Sequence, residues 1–316
     1  MNILISDYED VLDRDLEYEK QLLLEHLPEA HIEVYSYINE EEFLEKIKDV
    51  DVLSTAFLPL NKKVLQSAKR LKCISVNATG YGNIDIQEAR NLKIEVRTVK
   101  EYCTTEVAEH TMALLLSLVR NIKHYSNEID RENIWKYQSV VNMKRLAGQT
   151  LAIFGFGRIG QAVTKKARAF DLKIIAVDPF TSKEIADELG VTLVDKEYAL
   201  EHADIITNHM NQTLENKQYF SKEEFLKMKK QPLFINVGRG ECVNEQDLLW
   251  ALEKKHISGA ALDVLKEENP ELIDHPLTRR DNVILTPHAA FYSEQSMIDL
   301  QTRTCENIID SVKGWR

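Results

Sequence analysis

The stretch TLAIFGFGRIG, residues 150–160, decides the fold. Its first five residues, TLAIF, are almost purely apolar, which suits a parallel strand covered on both faces. Gly155, Gly157 and Gly160 follow in G-x-G-x-x-G spacing, and residues 161–170 read as a helix. In that order, strand, turn and helix form a phosphate-binding unit. The first glycine permits the sharp turn, the second lets the backbone approach a pyrophosphate, and the third lets helix and strand pack closely. The anion would rest on free N–H groups where the helix begins, around Arg158 and Ile159, at the positive end of the macrodipole.

The next residue the pattern requires is a ribose contact. Asp178 lies 18 residues past Gly160, directly after the apolar run KIIAV at 173–177. Its carboxylate accepts from ribose hydroxyls and repels a 2′-phosphate, and neither Pro179 nor Phe180 supplies an arginine for that phosphate. The predicted cofactor is therefore NAD rather than NADP.

Outward from this unit the chain keeps alternating. Before it, strand-like runs at 2–6, 31–35, 51–54, 73–76 and 94–96 are separated by amphipathic helices. After it come runs at 173–177, 204–207, 233–237, 259–262 and 283–286. Between the two series lie a long apolar helix at 104–121, read with a threonine cap, and a polar stretch at 124–145 read as irregular. A last helix spans 293–312. Alternation of this kind predicts an α/β protein with two Rossmann- or flavodoxin-like parallel-sheet domains and a cleft between them.

Composition narrows the function. Among 316 residues, 40 Lys and Arg face 51 Asp and Glu, a net charge of −11. The densest basic group is Lys227, Lys229 and Lys230, so no nucleic-acid face is expected. No apolar run reaches the ~20 residues needed to span a bilayer. The opening MNILISDYEDVLDRD lacks a basic n-region, which argues against a signal peptide. Cys73, Cys103, Cys242 and Cys305 are scattered, which predicts reduced thiols, a cytoplasmic setting and no metal site. Only 11 residues are glycine, and seven of them fall in three clusters: Gly80 and Gly82, the 155–160 turn, and Gly238 with Gly240.

Three charged residues follow strand ends in the second series: Arg239 after LFINV, Glu268 five residues past Asp263, and His288 closing VILTPH. Ligands of open parallel sheets bind at the carboxyl ends of strands. A guanidinium suits a carboxylate substrate, and an imidazole suits proton transfer to a carbonyl. A carboxylate beside an imidazole favours its protonated form.

Taken together, ATGYGNID (78–85), VAEHTMALLLSLVR (107–120), LAGQTLAIFGFGRIG (146–160), INVGRG (235–240), ALDV (261–264) and TPHAAFYSE (286–294) resemble the D-isomer-specific 2-hydroxyacid dehydrogenase family. The resemblance implies a discontinuous substrate-binding domain, 1–99 plus 289–316, and an NAD domain at 100–288. It implies that Arg239 binds the carboxylate of a 2-oxo acid, that His288 is the general acid and base, and that Glu268 holds His288. Backbone groups of Thr79 and Gly80 would grip the carboxylate, Asp263 would meet the nicotinamide carboxamide, and Met210, Asn216, Val237 and Gly238 would line the cofactor. Phe291 joins the substrate side. A homodimer through the 104–121 helix and the stretch after it is the family habit. Asn211 stands where the family usually has Pro, and Gly82 where many relatives have Asp. The alternative is an NAD(H)-sensing binding scaffold like the C-terminal-binding proteins. A formate dehydrogenase is disfavoured because Glu268 stands where that branch carries Gln.

Overall fold

The computed structural model describes residues 1–141 and 143–315. The chain divides into two compact units, Met1–Tyr102 with Ser293–Arg316, and Cys103–Tyr292. These limits lie a few residues beyond those the sequence suggests.

The first unit holds a five-stranded sheet: β1 (Asn2–Asp7), β2 (His31–Ser36), β3 (Val52–Thr55), β4 (Cys73–Val76) and β5 (Glu95–Thr98), in the order β2-β1-β3-β4-β5. Every pairing is parallel. Each connecting helix begins at a residue whose side chain caps it: Asp15, Asn39, Asn61 and Asp85 each accept a backbone N–H three residues on. Such caps contribute about 1 kcal/mol each. One core contains Leu4, Leu53, Phe43, Ile47 and Val64. Another contains Ile3, Ile5 and Leu23 with Cys305, Ile308, Ile309 and Val312 of the last helix, Glu294–Lys313. The alternation of a two-residue period along β1 sends Leu4 one way and its neighbours the other.

The second unit holds seven parallel strands: β6 (Thr150–Phe154), β7 (Lys173–Val177), β8 (Thr192–Leu193), β9 (Ile205–Asn208), β10 (Leu233–Asn236), β11 (Gly259–Leu262) and β12 (Val283–Leu285). Their order is β12-β11-β10-β9-β6-β7-β8. Chain order reverses at β6, so the 155–160 turn leaves the sheet at its topological switch point, where α/β proteins bind ligands. The two-residue β8 has too few residues to show a period, and the sequence reading passes over it.

Two sequence expectations need correction here. The apolar helix is Thr104–Val119, and Cys103, not a threonine, occupies its cap position. Its Val107, Ala108, Met112, Leu115, Leu118 and Val119 are buried in the core with Leu151, Ile153 and Val163 of the same unit. Its apolarity is thus accounted for inside the unit and gives no support to dimerisation. The stretch after it is not irregular throughout. It contains a helix, Ile122–Asn127, a wider π-type turn, Glu128–Glu132, and a short 3-10 turn, Tyr137–Ser139. Polar residues hide this helix because they meet polar partners. Lys123 Nζ donates to the carbonyls of Arg280 (2.9 Å) and Val283 (2.7 Å). His124 and Asn127 both contact Asp281. Among the described residues, no helix is long and apolar enough to cross a membrane.

Candidate active site

The glycine turn is built around close backbone contacts on one side and open space on the other. Gly155 has φ +86°, and a Cβ there would lie 2.8 Å from the Met210 nitrogen. A Cβ on Gly160 would lie 2.5 Å from the Gly155 carbonyl oxygen. Gly157 has nothing within 4 Å of its Cβ position, directly before the helix Arg158–Arg168. Ile159 packs its side chain against the core beneath. These features fit a pyrophosphate lying over Gly157 at the helix start. At the end of β7, Asp178 Oδ2 accepts the Phe156 N–H at 2.7 Å, and Oδ1 accepts those of Phe180 (2.8 Å) and Thr181 (3.2 Å). The carboxylate therefore fixes the turn. A carboxylate offers about four acceptor positions, so one remains for a ribose hydroxyl.

The loops after β9 and β10 form the neighbouring wall. Val237 donates its N–H to the Asn208 carbonyl at 3.3 Å, and a Cβ on Gly238 would lie 2.9 Å from the Met210 oxygen. Asn216 is occupied within its own loop. Its Oδ1 accepts the Thr213 N–H at 2.7 Å, and its Nδ2 donates to the carbonyl of Asn211. The acceptor is the backbone carbonyl of Asn211, which a proline in that place would supply equally.

Arg239, Glu268 and His288 leave the carboxyl ends of three adjacent strands, β10, β11 and β12. His288 Nδ1 lies 2.8 Å from Glu268 Oε2. Facing a carboxylate, Nδ1 is the protonated nitrogen and the donor, which leaves Nε2 for a substrate. The hydrogen bond from His288 holds the Glu268 carboxyl below the usual carboxylate range, against a partial burial that pushes it up; the charges of His288 and Arg239 add to the lowering. Arg239 Nη1 donates to the Gly238 carbonyl at 2.7 Å. Among the described residues no carboxylate lies within ion-pair distance of its guanidinium, so most of its five donors remain available. A Cβ on Gly240 would lie 1.9 Å from the Leu265 oxygen, so only glycine lets the Arg239 loop press against the loop leading to Glu268.

His288 sits in the left-handed region at φ +51°, an unusual conformation for a residue with a side chain. Its N–H donates to the Asp263 carbonyl at 2.7 Å. The Asp263 side chain, in a residue 1% exposed, accepts from Thr286 Oγ1 (2.6 Å) and from the N–H groups of Ala289 (2.9 Å) and Ala290 (3.0 Å). Both of its oxygens help hold the turn that carries His288, and, as at Asp178, three of about four acceptor positions are used. His110 Nε2 reaches Thr286 Oγ1 at 3.0 Å. The sequence reading misses His110 and Thr286 because nothing in the order of residues brings a helix at 110 beside a strand end at 286. Phe291 stands edge-on to His288, with ring centroids 6.0 Å apart.

Another histidine at a strand end, His209, lies close to Thr207, its Nε2 3.0 Å from Thr207 Oγ1. Burial lowers its pKa to about 3, so it stays neutral. Among the cysteines, burial pushes Cys73 up to about 11 and Cys305 up to about 12. Thr79 and Gly80 lie in the other unit, on the loop after β4, where Thr79 Oγ1 donates to the Val99 carbonyl at 2.8 Å.

Residues 112–290 match the family model for the NAD binding domain of D-isomer specific 2-hydroxyacid dehydrogenases. The chain is 32% identical over 280 residues to the glyoxylate reductase of Korarchaeum cryptofilum, covering 87% of this chain and 84% of that one. The chain belongs to the D-isomer specific 2-hydroxyacid dehydrogenase family.

Within the family its relatives differ in name. It is 37% identical over 287 residues to the D-3-phosphoglycerate dehydrogenase of Methanocaldococcus jannaschii, covering 90% of this chain and 54% of that one. The chain spans about half the length of the D-3-phosphoglycerate dehydrogenases it matches. The crystal structure of D-lactate dehydrogenase from Aquifex aeolicus, complexed with NAD and lactic acid, superimposes with TM-score 0.86 at 25% identity, covering 99% of this chain and 96% of that one. As in the family, the unit built on the 155–160 turn is the NAD-binding domain.

Proposed function

We propose that this protein is an NAD-dependent D-2-hydroxyacid dehydrogenase that reduces a 2-oxo acid to the D-2-hydroxy acid. The observation that carries the reading is the His288–Glu268 pair at 2.8 Å, on the same sheet edge as the dinucleotide turn and one strand away from the guanidinium of Arg239, which has no ion-pair partner among the described residues. NADH, when bound, supplies the hydride.

The chain's own residues divide the remaining work. Arg239 takes the substrate carboxylate with its free donors and draws electron density from the adjacent carbonyl. His288 Nε2–H donates a proton to the carbonyl oxygen as it becomes a hydroxyl, and Nε2 takes the proton back in the oxidative direction. Glu268 stabilises the protonated imidazole and fixes which nitrogen faces the substrate. Gly155, Gly157, Arg158, Ile159, Gly160 and Asp178 bind the dinucleotide, with Met210, Asn216, Val237, Gly238 and Asp263 behind it. The unit formed by residues 1–102 and 293–316 is the substrate-binding domain, where Thr79 and Gly80 contribute backbone donors.

The chain acts as a homodimer in this proposal. The support is not the 104–119 helix but the segment after it, where Trp135 is 89% exposed and Tyr137 79%. Exposed aromatic side chains of that size are typical of interface anchors. The scattered, mostly buried cysteines suit a cytoplasmic setting.

The deciding experiment follows NADH absorbance with 2-oxo acids graded in size from glyoxylate upward. Oxidation of NADH by at least one, with saturation in the acid, supports the enzyme. Tight NADH binding with no turnover on any acid sinks it in favour of a binding protein.

A further inference from the structure

His110 lies on the apolar helix, well separated in sequence from the residues assigned to chemistry. Its Nε2 is 3.0 Å from Thr286 Oγ1 and 3.5 Å from Asp263 Oδ1. Thr286 Oγ1 lies 2.6 Å from the same Asp263 oxygen. Asp263 is a pure acceptor, so the threonine hydroxyl spends its single proton on it. That hydroxyl can then only accept from His110, which makes Nε2 the protonated nitrogen of His110. The result is a directed chain of donors, His110 to Thr286 to Asp263.

The end of that chain bears on catalysis. Asp263 holds the turn of His288 on both sides: its backbone carbonyl accepts the His288 N–H, and its carboxylate accepts the N–H groups of Ala289 and Ala290. His288 is kept at φ +51°, a conformation that persists in a residue with a side chain only where the surroundings over-determine it. The helix carrying His110 is anchored through buried neighbours, Ala108, Thr111 and Met112. It therefore offers a rigid support for the turn.

We propose that His110 is a positioning residue for the reaction: through Thr286 and Asp263 it holds the His288 turn in the geometry that presents Nε2 to the substrate. This rests on the reading of His288 as the acid and base. It predicts that His110 acts on turnover and not on dinucleotide binding. Gln at the same position keeps an N–H donor of similar reach, whereas Leu keeps only bulk.

The test is steady-state kinetics with the best 2-oxo acid, beside fluorescence titration of NADH. His110→Leu should lower kcat about tenfold, the worth of one buried hydrogen bond, with NADH affinity unchanged. His110→Gln should recover most of that loss. Thr286→Val breaks the same chain without touching the helix. In the double variant its cost should largely disappear, because the link is already cut. Unchanged kcat in both single variants, additive losses in the double, or equal losses for Leu and Gln would each overturn the proposal. If His110→Leu fails to fold, Thr286→Val carries the test alone: a kcat loss at constant NADH affinity supports it, and wild-type kcat overturns it. His288→Ala is run alongside. Activity retained there would overturn the acid–base reading itself, whereas an inactive His288→Ala beside a normal His110→Leu would remove only the positioning role.

Discussion

Asp7 and Asp263 sit at strand ends in different units, and each is 1% exposed. Asp7 closes β1. Its carboxylate accepts from the backbone of Ala56, from that of Phe57 (3.1 Å) and from Thr55 Oγ1 (3.1 Å). Asp263 follows β11 and accepts from two backbone N–H groups and one threonine hydroxyl, where Asp7 accepts a further N–H from its own neighbour Tyr8 (3.0 Å). In both, a buried carboxylate at one strand's end fixes the loop after another strand. What differs is the side chain that the loop carries. One presents Phe57, an aromatic ring 58% exposed; the other presents His288. The same anchoring device thus presents an exposed aromatic ring in one unit and, in the other, the imidazole to which the proposed function gives proton transfer. It also shows that an acidic residue at a sheet edge is not a ligand contact by position alone. Glu268, exposed and facing His288, is the acid to which the proposed function gives a part in the chemistry.

The sharpest way to break this comparison is to remove the chemical payload. His288→Ala should lower reduction of the 2-oxo acid by roughly 10²–10⁴-fold, the usual worth of a general acid–base group, with NADH affinity retained. Near-normal turnover would make the second loop a scaffold like the first.

Next come the anchors. Asp263→Ala strands two backbone N–H groups and a hydroxyl, and Asp7→Ala three backbone N–H groups and a hydroxyl; each should cost on the order of 3 kcal/mol in denaturant unfolding. The milder Asp263→Asn and Asp7→Asn should separate the units. Asp263→Asn lowers kcat because the His288 turn loosens, whereas Asp7→Asn leaves kcat intact. Equal kcat losses in the two would mean the loops do not divide the labour as described.

The sequence carries some of this and hides the rest for physical reasons. The dinucleotide turn is legible because its glycines, its apolar strand and Asp178 are local and ordered along the chain. Arg239, Glu268 and His288 are legible because each follows a strand, and parallel strands bring their carboxyl ends to one edge. Asp7, His110 and Thr286 are not, since their roles come from side chains meeting across 48 and 176 residues of sequence. The hold of Asp263 on the His288 turn is not legible either, because burial is invisible in the order of residues. The helix at 122–127 is missed because its polar face points at the 280–283 turn rather than at water.

Glu268 gives a smaller and more specific effect. The hydrogen bond from His288 keeps its carboxyl ionised below the usual carboxylate range. Reduction should therefore persist into mildly acidic solution and fail only as pH falls through that lowered value, when the carboxylate gains a proton. Glu268→Gln removes the titrating carboxyl that faces His288, so the acid limb set by Glu268 should vanish from the reductive profile, with kcat at its optimum reduced about tenfold. An acid limb unmoved in the variant would separate Glu268 from the reaction.

The smallest effect belongs to the first unit and tests the other half of the comparison. Phe57 is presented by an anchored loop yet covered by little of its own unit, and the proposed function would use its ring on the substrate rather than in the fold. Phe57→Ala should leave unfolding within about 0.5 kcal/mol of wild type, the usual range for an exposed substitution. It should raise KM for 2-oxo acids with long apolar side chains about fivefold, with a smaller change for glyoxylate, because only a long side chain gains from apolar contact. The kcat should stay constant, since a ring that binds substrate and transition state alike contributes uniform binding. An equal KM change across the whole series would mean Phe57 reads the carboxylate end of the substrate or none of it, and the parallel between the two anchored loops would then stop at their hydrogen bonds.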